Sequence, residues 1–179
     1  MTTPVVQEHR ESGIREARQE DLPGLREIER RAGELFREVG MDAVADDEPP
    51  TLSELLPYVR DGRAWVATND REVPVAYLLL DVVDHQGHIE QVSVDPSHSR
   101  HGLGRLLIER AAAWARQHGL TSLTLATFAE VPWNAPYYET LGFRRLSEPG
   151  TTPGLHRIRQ REAAHGSTAW PRVCMRRDL

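Results

Sequence analysis

One segment constrains the fold of this chain more than any other: an apolar run, then a polar loop, then a glycine pair that opens a long amphipathic stretch. The run His88–Val94 alternates as a strand does, and Gly102 and Gly104 begin a helix predicted over 102–117. A helix that begins here directs free backbone N–H groups and the positive end of its dipole at the loop. Such a helix start binds anions, so the segment predicts a ligand that carries phosphate.

Several kinds of phosphate site, and one purely structural role, could explain the glycine pair. A dinucleotide fold needs a small residue where this chain has Leu107, and no β-α-β unit opens the sequence. A Walker loop needs a lysine, and all 22 of the Lys and Arg residues are Arg. Two explanations of the glycine pair remain. One is a helix that simply begins with glycines. The other is a pyrophosphate held on the backbone N–H groups of Arg100, His101, Gly102, Leu103, Gly104 and Arg105.

Composition narrows the class of protein. The chain has 179 residues, 39% of them hydrophobic and 27% charged, which predicts one globular domain over 13–179 behind a flexible leader, 1–12. No apolar run reaches the roughly 20 residues of a bilayer span, and residues 1–13 do not resemble a signal peptide, so we expect a cytoplasmic protein without a membrane partner. A net charge of −5 argues against nucleic acid. The single cysteine, Cys174, excludes an intrachain disulfide and a cysteine-based zinc site.

Hydrophobic periodicity predicts a mixed α/β fold. Asp21 is the predicted N-cap of the first helix, Thr51 and Glu54 form a capping box, and residues 42–50 are an acidic loop. Short turns predict antiparallel pairing of the second to fourth strands, whereas the strand after the long helix should run parallel to 88–94. The predicted strands are 13–17, 64–68, 75–83, 88–94, 123–127, 143–146 and 172–175, and the helices are 22–40, 51–59, 102–117, 134–141 and 154–165.

Two segments resemble motifs of the GNAT superfamily of N-acetyltransferases. The first, Ser99–Gly104, is similar to motif A, Q/R-x-x-G-x-G/A, with Ser99 where the family usually has Gln or Arg. The second, Asn134–Phe143, reads N-A-P-Y-Y-E-T-L-G-F and resembles motif B. The element order fits along nearly the whole chain. The resemblance implies an α+β fold with a mixed, mostly antiparallel sheet of six to seven strands flanked by helices, whose central parallel pair is splayed to bind acyl-CoA.

The same resemblance implies acetyl-CoA as the acyl donor. The diphosphate would lie on the backbone of 100–105, and the pantetheine arm would pair with Val92, Ser93 and Val94 as an added strand. Asn134 would contact the arm from the other side. A free N–H on this strand would face the thioester oxygen, as in an oxyanion hole.

Two side chains are the candidates for proton transfer. Tyr138 is the acid candidate, because a phenol near pKa 10 can protonate a departing thiolate near 8.5; Tyr137 is the other candidate, and either could be a core aromatic. Glu90 is the base candidate. Strict alternation places it beside Val92 and Val94, where apolar surroundings would raise the pKa of its carboxyl, although a bulge would change this. Glu90 could also reach solvent or pass the proton through water.

These features predict an acetyl-CoA-dependent N-acetyltransferase that acts by direct attack of a primary amine in a ternary complex. A small-molecule amine is favoured over a protein amine. A non-catalytic acyl-CoA-binding module of the same fold is the alternative, and a dinucleotide oxidoreductase is disfavoured by Leu107. A homodimer could pair through the last strand.

Weaker signals have ordinary explanations as well. The pairs His85-x-x-His88 and His98-x-x-His101 lack cysteine or carboxylate partners, so we expect no metal site. Trp133 could line the acceptor pocket or simply pack, and the run 46–48 could attract an amine or be a solvated loop.

Overall fold

A sheet of seven strands organises the computed structural model, which describes residues 13–165 and 168–179. The predicted leader, 1–12, lies outside the described residues. The strands are β1 (Ile14–Glu16), β2 (Ala64–Thr68), β3 (Pro74–Val83), β4 (Gln86–Val94), β5 (Ser122–Phe128), β6 (Arg144–Arg145) and β7 (Arg172–Asp178). The α-helices are α1 (Leu22–Gly33), α2 (Asp42–Ala45), α3 (Leu52–Arg60), α4 (Leu103–Gln117), α5 (Ala135–Thr140) and α6 (Pro153–His165).

The strand order is β1-β2-β3-β4-β5-β7-β6, and every pair is antiparallel except β4 with β5. The parallel pair is joined through α4, because parallel neighbours need a crossover connection. The predicted mixed sheet with one central parallel pair is therefore confirmed. The last strand, β7, is paired on both edges with strands of the same chain, β5 and β6. A homodimer that pairs through this strand stays a prediction.

Helices cover both faces of the sheet. On one face, α4 and α5 bury the largest apolar cluster against the alternate residues of β2 to β5, with Leu78, Leu107 and Leu125 among them. On the other face, α1 and α3 pack against β2 and β3, and α6 packs against Cys174 in β7. The site described below lies between these layers. Among the residues that the structure describes, none of the helices combines the length and apolar character needed to cross a bilayer.

The ends of the first helices show which local signals were correct. The capping box at α3 is confirmed: Glu54 N–H donates to Thr51 Oγ1 over 3.3 Å, and Thr51 N–H donates to the Glu54 carboxylate over 2.7 Å. Asp21 occupies the predicted N-cap position of α1, but its side chain makes no capping hydrogen bond, because its carboxylate accepts from Arg15 and from the Arg18 backbone, both over 2.7 Å. The first residues of the predicted acidic loop, 42–50, instead form the short helix α2. The first helix also ends early, at Gly33, and continues as a 3-10 helix over Glu34–Val39.

A bulge in β4 overturns the strict alternation predicted for that strand. Leu79 pairs with Gln91 and Leu80 pairs with Ile89, so Glu90 has no partner on β3. An extra residue shifts the side-chain parity beyond it. The predicted grouping of Glu90 with Val92 and Val94 is therefore wrong: both valines pack with the α4 cluster, while the Glu90 carboxylate lies on the side of His88.

β4 and β5 separate soon after they meet. Their parallel pairing extends only from Gly87 opposite Leu123 to Ile89 opposite Leu125. Both strands continue, to Val94 and to Phe128, and stay paired with β3 and β7 on their outer edges. The inner edges beyond Ile89 therefore face a gap, as the predicted splay requires.

Candidate active site

The loop before α4 directs the first turn of the helix at the gap. Gly102 has φ +74° and Arg100 has φ +65°, two left-handed residues in a short turn, and only glycine adopts this conformation without strain. The first amides of α4 have no carbonyl one turn earlier to bond. The side chains of Arg100, His101 and Arg105 are exposed around these amides, whereas Leu103 is buried in the core and offers only its backbone. The helix start is thus suited to an anion.

Gly104 brings this helix start close to the gap. A Cβ at Gly104 would lie 3.3 Å from Tyr137 Oη and 3.9 Å from Val94 Cγ2. The first turn of α4 therefore approaches both the end of β4 and helix α5. A bulky side chain at this position would fill the space where the three elements meet.

Asn134 offers a specific sign of a missing ligand. Its Oδ1 atom is buried and accepts no hydrogen bond from the described residues. Such an orphaned acceptor costs free energy, so buried polar atoms usually have a partner. An N–H of a pantetheine arm would satisfy it, and the free edge of Val92, Ser93 and Val94 would pair with the same arm. The residues present therefore fit acetyl-CoA.

Tyr138 occupies the core beside the gap. Its side chain is 8% exposed and its ring lies 5.9 Å from that of Phe143. Burial, with smaller contributions from Tyr137 and Glu29, raises the pKa of the Tyr138 phenol. The phenol is therefore protonated at neutral pH, as a proton donor must be. Its hydroxyl has no hydrogen-bond partner among the described residues, so it is available to a ligand.

Glu90 and His88 meet where the parallel pairing ends. Glu90 Oε2 lies 3.9 Å from His88 Nε2, and the Glu90 side chain is 42% exposed. Desolvation by the surrounding protein, reinforced by the charge of Asp81, raises the pKa of Glu90. His88 is buried, contacts Thr124 Oγ1 over 3.0 Å, and has its pKa lowered by burial to about 4. The imidazole is thus neutral at neutral pH, so the contact is polar rather than ionic.

The sequence reasoning missed Glu29, which lies on α1 across the gap. Its carboxylate accepts hydrogen bonds from Tyr77 Oη over 2.8 Å, from Ser93 Oγ over 2.5 Å and from Gln91 Nε2 over 3.1 Å. Two of these donors belong to the free segment of β4. The sequence did contain a signal for this residue. Glu29 lies within the apolar stripe of the first predicted helix, which begins with Leu22 and Leu25 and ends with Phe36.

Three aromatic side chains, Phe36, Phe128 and Trp133, form an aromatic wall between the 3-10 helix after α1, the end of β5 and the loop before α5. The Phe36 ring centroid lies 5.5 Å from that of Phe128 and 5.8 Å from that of Trp133. All three are half-buried. In the acidic run, Asp46 pairs with Arg37, which fits a solvated loop.

No group of three His, Cys, Asp or Glu residues is arranged to hold a metal ion within 13–165 and 168–179. Cys174 is buried with Leu155 and Ile158, and burial raises the pKa of its thiol.

Comparisons with known proteins agree with this geometry. A salmonella protein, the peptidyl-lysine N-acetyltransferase YjaB of Salmonella typhimurium, is 26% identical over 131 residues, which cover 73% of this chain and 82% of that protein. A Bacillus subtilis relative is 25% identical over 88 residues, 49% of this chain, and the alignment spans 58% of that relative. A Mycobacterium tuberculosis protein in complex with CoA has the same fold, with a TM-score of 0.69 and 20% identity over 93% of this chain and 99% of that one.

The family comparison covers most of the chain. The sequence model of the Acetyltransferase (GNAT) family matches residues 22–143, from the start of α1 to the end of motif B. This range contains the splayed strands, the start of α4, Glu90 and Tyr138. The chain belongs to the GNAT family of acetyltransferases.

Proposed function

We propose that this protein transfers the acetyl group of acetyl-CoA to a primary amine by direct attack in a ternary complex. The observation that carries the proposal is the gap between β4 and β5, where the end of β4 at Val94 approaches the start of α4 and where Tyr138 packs in the cluster on the same face of the sheet. The gap offers unpaired strand edges for the pantetheine arm, and the helix start offers N–H groups for the diphosphate.

The chain's own residues have distinct roles in this mechanism. Glu90 accepts a proton from the acceptor ammonium, which frees the nitrogen lone pair to form the C–N bond. A backbone N–H of the free β4 segment stabilises the negative charge that develops on the thioester oxygen. Tyr138 donates a proton to the sulfur as the C–S bond breaks, so CoA leaves as a thiol, and the second proton that the attacking nitrogen loses restores the Tyr138 phenol.

Direct attack is favoured over an acetylated enzyme because the chain has no suitable thiol. Cys174 is 3% exposed, and burial raises its pKa, so little reactive thiolate forms. A primary amine is supported by YjaB, whose name specifies a lysine side chain as acceptor. A small-molecule amine is the form of acceptor that we favour, and the cytoplasmic location stays a prediction.

The proposal is tested by mixing the purified protein with acetyl-CoA and a panel of primary amines. We expect release of free thiol that depends on the amine, with an equal amount of acetylated amine measured by mass spectrometry. Thiol release without acetylated amine, or acetyl-CoA binding without turnover on any amine, would favour the non-catalytic module instead.

Glu90→Gln should abolish the acidic limb of the pH profile. Because the pKa of Glu90 is raised above its ordinary value of 4.5, the wild-type kcat/KM should fall as the pH drops through a region above that value. The variant should be slower at neutral pH by about 10²-fold and lack this limb.

The same variant has a second readout, in stability. A carboxyl whose folded pKa is raised favours the folded state at low pH and loses that contribution as the pH rises through the folded pKa. Glu90→Gln should therefore melt no lower than wild type at neutral pH. An unchanged pH profile would show that Glu90 is not the base.

A further inference from the structure

The α1 side of the gap carries groups that the proposed mechanism does not use. We propose that Glu29 and the aromatic wall of Phe36, Phe128 and Trp133 form the acceptor subsite, and that this subsite selects a primary ammonium joined by a short linker to a flat apolar ring. The inference rests on the proposed function and specifies its substrate class. It is carried by two independent observations, the hydrogen bonding of Glu29 and the packing of the wall.

The first observation is that Glu29 has only neutral partners. Tyr77, Gln91 and Ser93 each donate to its carboxylate, and no Arg or His nitrogen of the described residues lies within 4.0 Å of it. Its neighbour Glu27, by contrast, pairs with two arginines on the helix surface. Partial burial of a carboxylate costs solvation free energy, which a paired cation offsets. An acceptor ammonium would supply the missing charge.

The two oxygens of Glu29 are not equally occupied. Oε2 accepts from Tyr77, Gln91 and Ser93, whereas Oε1 accepts from Gln91 alone. A carboxylate oxygen has two lone pairs, so Oε1 keeps one free. The Gln91 and Ser93 donors fix the carboxylate from β4, so the free lone pair is held in a set position.

The charge of Glu29 also affects the ionisation of the proposed acid, Tyr138. Its charge is the smallest of the causes that raise the pKa of Tyr138, which packs on the opposite face of the sheet. The donors Gln91 and Ser93 come directly after Glu90 in β4, so an ammonium bound at Glu29 would lie on the same side of the strand as Glu90. The bound amine would be placed near both proton-transfer candidates.

The second observation is the aromatic wall. Phe128 is the last residue of β5, so its ring lies at the open end of the gap. The guanidinium of Arg172 lies 4.4 Å from the Phe128 ring centroid and is itself held by two hydrogen bonds to Glu162. One ring face is thus covered and fixed, while Phe36 and Trp133 remain half-exposed beside it. A rigid, half-open aromatic surface suits a flat apolar group.

The distance between Glu29 and the aromatic wall determines which ligand would contact both. Phe36 follows Glu29 by seven residues, through the end of α1 at Gly33 and the first turn of the 3-10 helix Glu34–Val39, which is roughly 12 Å along the helix axis. Ala32 and Gly33, which lie between them, have small side chains or none. The Glu29 and Phe36 side chains extend over part of this distance, and an arylalkyl amine would occupy the rest with its charge at Glu29 and its ring at the wall.

The test compares phenethylamine with butylamine and with a lysine-containing tripeptide, at saturating acetyl-CoA. We expect kcat/KM for phenethylamine to exceed that of both others by about tenfold or more. Glu29→Gln should raise KM for phenethylamine by about tenfold, while the surface variant Glu27→Gln should behave as wild type. Phe36→Leu should lower the phenethylamine-to-butylamine ratio by about fivefold.

Acetyl-CoA titration and melting temperatures of each variant separate a lost subsite from a lost fold. Equal kcat/KM for the three amines, a preference for the tripeptide, or an unchanged ratio in Phe36→Leu would overturn the subsite while leaving the acetyltransferase activity in place. Absence of thiol release with every amine would instead refute the proposed function itself.

Discussion

Replacing Tyr138 by Phe should lower kcat by about 10²-fold or more while acetyl-CoA affinity changes by no more than about twofold. The variant removes only a hydroxyl that has no hydrogen-bond partner among the described residues, so the packing against Phe143 is kept. Without the phenol proton, the sulfur must leave as a thiolate, which slows the step in which the C–S bond breaks. Steady-state kinetics together with acetyl-CoA titration separate the two effects.

Tyr137→Phe is the matched control for this prediction. It removes the neighbouring hydroxyl, whose ring centroid lies 5.6 Å from that of Tyr138 and which is less buried. We expect a much smaller loss of kcat. A larger loss in Tyr137→Phe than in Tyr138→Phe would reverse the assignment of the acid, and a loss of acetyl-CoA affinity with unchanged kcat in Tyr138→Phe would make that residue a binding residue.

Gly104→Leu should weaken acetyl-CoA binding by about 10²-fold or more, the second large effect. A side chain that starts 3.3 Å from Tyr137 Oη would occupy the space between α4, β4 and α5, where we propose that the diphosphate binds. Losing two charge-assisted hydrogen bonds, each worth about 1.5–3 kcal/mol, corresponds to at least this factor. Gly104→Ala is the control and should lose much less affinity, because a methyl group there requires only that the Tyr137 hydroxyl, 3.3 Å away, move by a few tenths of an ångström. Equal affinity in wild type and Gly104→Leu would contradict the proposed position of the diphosphate.

Much of the fold followed from local signals in the sequence. The strand 64–68 was predicted with the ends that the structure shows, and α4 and α6 differ from their predicted ranges by one residue at the start. The capping box at Thr51 and Glu54 depends on residues three apart, which is why pattern alone could identify it. The splayed pair followed from the family resemblance rather than from any periodicity.

The features that pattern could not predict are those that depend on distant parts of the chain. The bulge at Glu90 depends on the register in which β4 pairs with β3, and the sequence of β4 alone does not specify that register. The partners of Glu29 lie 48 to 64 residues away, so its role emerges only when α1 is packed on the sheet. Asp21 was assigned to the nearest helix, yet Arg15 in β1 competes for its carboxylate.

The central claim is that the start of α4 binds the diphosphate of CoA while the gap holds its pantetheine arm. Equilibrium titration of the wild-type protein with CoA and with pantetheine, which lacks the diphosphate, tests this claim most directly. We expect saturable binding of CoA at one site and binding of pantetheine that is weaker by about 10²-fold or more. Equal affinity for the two ligands, or no binding of CoA, would contradict the account.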